Sequence, residues 1–165
     1  MLWMLRLWAP FVAAAILASS AFPQDRIEAL RARFAHEPNP VQRAKLMPQL
    51  GEEEFRTIGA AVAAGRLPDA LATLNHYRSE VRLCEKGLEA SGINAEKHSA
   101  GFKHLEISLR EALRDLDELI VGLPVDEQPP FVDARKELSE ISQRLMHRLF
   151  PHEPPGNAKP GKINN

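Results

Sequence analysis

From Ala70 to Leu88 an apolar residue recurs at every fourth or third position: Ala70, Leu74, Tyr77, Val81, Cys84 and Leu88. A helix keeps such a row on one face, turned toward a partner helix as in a coiled coil. A half-buried strand needs a period of two, and no run of four or more residues alternates that way with β-branched enrichment. Leu119-Ile120-Val121 comes nearest to a strand. It closes a helical stripe just before Gly122 and Pro124, so a helix end fits it better.

The same spacing divides the chain into helices. A first helix is expected over about Asp25 to His36, with Asp25 and Glu28 as a capping box and Ile27, Leu30 and Phe34 on one face. Asn39 before Pro40 marks a restart, a cap followed by proline at the first helical position. A short second helix through Val41, Ala44 and Met47 is then expected to stop at Pro48 and Gly51. The third would run from about Glu52 to Ala64, its acids 52–54 complementing the positive helix start. Phe55, Ile58 and Val62 form its stripe.

The fourth helix opens at Pro68 and ends at Ser91-Gly92, where glycine can take the left-handed cap conformation. Asn94 is expected to cap a fifth, reaching about Val121, with Phe102, Leu105, Leu109, Ala112, Leu116, Leu119 and Leu123 in line. The sixth starts near Pro129-Pro130 and carries Phe131, Ala134, Leu138, Ile141, Leu145 and Leu149 to about Phe150. The fold class is therefore all-α: an antiparallel bundle of five to six helices, the last three each about 30–37 Å long. Gly65-Arg66-Leu67-Pro68-Asp69-Ala70-Leu71 resembles the turn at the centre of a tetratricopeptide repeat. With no second copy 34 residues away, it reads as the turn of one helical hairpin.

Residues 1–21 differ from everything after them. One charge, Arg6, precedes an apolar run from Leu7 to Ala18, and Ser19-Ser20-Ala21 offers the small residues a signal peptidase accepts. Cleavage after Ala21 is expected. The run after Arg6 is shorter than the roughly 20 apolar residues of a membrane span and contains Pro10. Export to a periplasm or beyond follows, with no span in the remaining chain. Cleavage removes Trp3, Trp8 and Arg6, leaving 144 residues of net charge −2. Residues 22–150 would form one helical domain. The tail 151–165, with four prolines and two glycines, is expected to be disordered.

Near-zero charge lacks the basic footprint of a nucleic-acid binder. Arg31, Arg33, Arg43 and Lys45 cluster near the start, with only Phe34 among them to stack a base. One cysteine excludes an internal disulfide framework, and no nucleophile elbow, zinc-protease motif, phosphate loop or haem-attachment motif occurs. No cofactor is implied. The reading is a non-catalytic exported protein acting by contact with an unknown protein partner, with the envelope, or with a second copy through a long helix with Cys84 near the seam.

The alternative is metal binding. His76, Glu80 and Cys84 stand four residues apart along the fourth helix, and all three types ligate zinc or copper. Against it, Cys84 also belongs to the apolar stripe, where a free thiol acts as a small hydrophobe. His98 and His104, six apart, are expected to point to different sides of one helix. His36, His147 and His152 suit helix ends, where imidazolium meets the negative dipole. Glu111, Asp115 and Glu118 share a face with Asp117 beside them. Paired acids can hydrolyse glycosides, but solvated helix faces look the same. Glu106–Arg110 and Glu140–Arg144 are expected as i,i+4 pairs.

Overall fold

A computed structural model describes residues 23–151, with side chains from Arg26 onward. The expected signal segment 1–21, the Asp25 side chain and the tail from His152 lie outside the described residues. Five α-helices run in order: α1 Pro23–His36, α2 Pro40–Ala63, α3 Leu67–Ala90, α4 Ala100–Gly122 and α5 Pro129–Leu149, with a 3-10 turn at Val125–Glu127 between the last two. No strand occurs among the described residues.

Two expected helices are one. The pieces around Val41–Met47 and Glu52–Ala64 join in α2, which runs unbroken through Pro48 and Gly51. An interior proline costs about 3 kcal/mol. Met47, Leu50, Phe55 and Ile58 all bury their side chains on the joined helix, each contributing roughly 1.5–3 kcal/mol. The continuous stripe outweighs the proline. The start of α2 is as the sequence indicates: Asn39 Oδ1 accepts from Val41 N at 2.9 Å and Gln42 N at 3.1 Å, with Pro40 in the first turn.

A second boundary also moves. Asn94 closes a single turn, accepting from Lys97 N at 3.0 Å, and α4 begins only at Ala100. The connection from Ser91 to Ser99 is therefore longer than the stripe implies. At the two ends of α3 the chain turns on Gly65 (φ +70°) and Gly92 (φ +66°), a left-handed backbone that suits glycine.

Each helix runs antiparallel to its sequence neighbour, so α2–α3 and α4–α5 form two hairpins. The hairpins lie side by side, with α2 along α4 and α3 along α5. Gly101 approaches Val41, and Ser108 bonds Met47, so α2 and α4 run in the same direction. On the other flank Arg78 and Arg82 grip Glu137, Arg144 holds both oxygens of Glu85 at 2.8 and 2.9 Å, and Arg148 reaches Glu89. These pairs advance together, so α3 and α5 are parallel too. Arg144 thus serves Glu85 across the bundle rather than Glu140 on its own helix. Glu106–Arg110 forms as expected, at 2.6 Å.

The core follows the stripes. Every expected member on α1, α3 and α5 is buried, as are Phe102, Leu105, Leu109, Ala112 and Leu116 on α4. Leu119 and Val62 are only partly buried. At the centre, Ser108 Oγ donates to Met47 O (3.1 Å) and lies 2.9 Å from the Tyr77 hydroxyl. Phe55 meets the Tyr77 ring edge-on, 5.2 Å between centroids. The backbone of α1 comes close to α2 and to no other helix.

Candidate metal centre at the α1–α2–α3 junction

Buried charge is uncommon in a bundle of this size, so the buried glutamates identify the place to look. Glu54, near the middle of α2, has a fully buried side chain, and Glu80 on α3 is 7% exposed. Glu54 falls on the inner face because α2 is continuous: Met47, Leu50, Glu54 and Ile58 follow at spacings of three and four. Glu80 stands beside Tyr77 and Val81 on α3, and His76 sits one turn earlier with its side chain 46% exposed.

These three residues converge. His76 Nδ1 lies 3.1 Å from Glu54 Oε1 and 3.2 Å from Glu80 Oε1. One ligand atom from each of Glu54, His76 and Glu80 lies within 4.8 Å of the other two. From α1, Arg31 donates to Glu54 Oε1 through Nε at 2.9 Å and Nη2 at 2.7 Å, and its third nitrogen reaches Glu28 at 3.1 Å. The second oxygens, Glu54 Oε2 and Glu80 Oε2, are buried with no hydrogen-bond partner. Buried polar atoms are nearly always paired, so these two oxygens call for a donor or positive charge, which a proton shared between the two carboxyls or a bound cation supplies.

The electrostatics agree. Burial pushes the Glu80 carboxyl up to about 9, and the nearby Glu54 charge and a hydrogen bond to Glu54 add to the rise. Burial also raises Glu54, against the hydrogen bond and charge of Arg31. One guanidinium does not balance two buried carboxylates, so the pair holds a proton more tightly than free carboxyls do, as a hydrogen bond between Glu80 and Glu54.

Of the residues named from sequence, His76 and Glu80 come together and Cys84 does not join them. Cys84 points into the core, fully buried, and burial pushes its thiol up to about 12. It lies inside the chain's own bundle, in the apolar stripe of α3. Glu54 takes the third position, from another helix. Arg31 and Arg43 are both used internally: Arg43 donates to Glu37 O at 2.6 Å and lies 5.8 Å above the Phe34 ring.

The other candidates are dispersed. His98 precedes α4 rather than sharing it with His104, while His36 and His147 are exposed in the last turns of α1 and α5. His152 is outside the described residues. Glu111 and Asp115 line an open hollow of about 260 Å³ between α2 and α4; Asp115 and Glu118 border an adjoining one of about 520 Å³, with Phe55 at the wall of both. Asp117 turns instead to Arg135 on α5. No family model, curated protein or solved structure matches the chain.

Proposed function

We propose that the protein is an exported, non-catalytic helical bundle that binds one divalent cation of the zinc class through Glu54, His76 and Glu80. The observation that carries this reading is the convergence of three ligand atoms within 4.8 Å, with a buried oxygen on each glutamate that no residue outside the pair reaches with a donor. Zinc bonds of about 2.0–2.2 Å at the tetrahedral angle separate ligand atoms by roughly 3.3–3.5 Å. His76 Nδ1 already stands 3.1 and 3.2 Å from the two carboxylates, and the carboxylate ligand atoms lie within 4.8 Å of each other. A mixed nitrogen and oxygen set favours a first-row cation over calcium or magnesium, which prefer oxygen alone. The cation supplies the charge that lets both buried carboxylates ionise. Half-exposed His76 marks its entry side.

A ligand that binds only the folded chain raises its melting temperature. Zinc is expected to raise the Tm of the wild-type protein and of Cys84→Ser, and to leave His76→Ala and Glu54→Gln unshifted. A shift that survives His76→Ala but vanishes in Cys84→Ser would return the site to the thiol and refute this ligand set.

One observation favours a second reading, contact with another protein. Val121 and Val125, beside the α4–α5 turn, are 86% and 81% exposed at one end of the bundle. Single exposed valines are ordinary, but a pair at a helix end offers an apolar tip. Val121→Ser with Val125→Ser should leave Tm unchanged and abolish cross-linking to a partner in the exported fraction; unchanged cross-linking would dismiss the tip.

A further inference from the structure

We propose that the cation and helix α1 compete for Glu54, so that ion binding loosens α1 from the bundle. This rests on the cation-site reading above and adds its regulation. Glu54 Oε1 receives both donors of the Arg31 fork and also faces His76 Nδ1, so the oxygen that anchors α1 is one of the atoms nearest the candidate ion. A cation held there sits beside the guanidinium in a buried setting, where like charges repel far more strongly than in water. It also draws off the carboxylate charge that Arg31 uses.

Arg43 of α2 holds the end of α1, over the Phe34 ring and on Glu37 O. The backbone of α1 touches α2 alone, its apolar contacts are Ile27, Leu30 and Phe34, and its second charged link, Arg26 to Glu53 at 2.8 Å, uses an arginine that is mostly exposed. Glu53 is buried, but the exposed Arg26 end leaves that pair partly screened by water. Arg31–Glu54 is therefore the polar contact whose loss α1 would feel most. The same ion leaves α3 and α5 fastened, because their links through Glu85, Glu89 and Glu137 lie elsewhere.

Coupling between two binding events is reciprocal, and coupled sites commonly differ by roughly 5- to 150-fold. The purified protein is titrated with zinc chloride, and amide hydrogen exchange is followed with and without saturating zinc. Amides of residues 26–36 are expected to exchange faster by that factor while those of α3 and α5 stay protected. By reciprocity, Arg31→Gln should bind zinc more tightly by a comparable factor. If zinc binds but α1 exchange is unchanged or slowed, the competition is overturned and the cation site stands. If zinc binds neither wild type nor Arg31→Gln, both readings fall. Should circular dichroism show Arg31→Gln unfolded, the exchange measurement on the wild type decides by itself.

Discussion

Glu54 and Glu80 illustrate how a side chain's role is set by what its helix brings beside it. Burial, and after it the Glu54 charge alongside, raise the Glu80 carboxyl to about 9 and so favour its neutral form. The sign follows directly. In the unfolded chain Glu80 ionises near the ordinary carboxyl value, while in the folded chain it keeps its proton. Its contribution to stability is full below that ordinary value and is lost progressively as pH rises toward 9. Without zinc, chemical denaturation should show stability falling over that window. Glu80→Gln, neutral at every pH, should flatten the fall, and an identical slope in both proteins would show that Glu80 is not the group responsible. Glu80 and His76 were legible in the sequence by their spacing of four. Glu54 was not, because acids 52–54 after Pro48 and Gly51 read as the start of a helix. The signal was present: on an uninterrupted helix, Met47, Leu50 and Ile58 place Glu54 on the buried stripe.

Among elements, α2 departs most from its local sequence. Proline and glycine within four residues usually end a helix, yet here tertiary burial decides. Gly51 has a packing reason: a Cβ there would stand 3.0 Å from Ser108 Oγ and 3.2 Å from the Tyr77 ring. Both neighbours are fixed by their mutual hydrogen bond and by Ser108's bond to Met47. Gly51→Ala should therefore destabilise by about 1 kcal/mol, as overpacking of roughly 1–3 kcal/mol exceeds the helix-propensity gain of roughly 1. Gly59, on the same helix, has nothing within 4 Å of that position. Gly59→Ala should stabilise by about 0.5–1 kcal/mol. Urea denaturation of the two variants checks the contrast, and a stabilising Gly51→Ala would mean that α2 and α4 approach less closely than described. The stripes of α1, α3 and α5 needed no such context, since each is periodic from end to end. The start of α4 did, because Asn94 has the same local chemistry whether it caps one turn or a helix.

At the scale of the molecule, two hairpins stack with like directions side by side, and α1 leans on one of them where the charged cluster lies. Sequence periodicity gives the helices and their inward faces but not which hairpin flanks which. That is settled by small groups such as Gly51, Gly101 and Ser108 between α2 and α4 and by the arginine pairs between α3 and α5. Export carries its own test. If residues 1–21 are cleaved on export, as proposed, both tryptophans, Trp3 and Trp8, go with them, and the exported protein should emit only from Tyr77. Tryptophan fluorescence from that fraction would contradict cleavage. The cation site is tested most directly by cobalt(II), whose visible spectrum reports its ligands. Titration of the purified protein should give one bound cobalt per chain, with the bands of nitrogen and oxygen coordination and no thiolate-to-metal charge transfer. A charge-transfer band from Cys84, or no bound cobalt at all, would contradict a centre built from Glu54, His76 and Glu80.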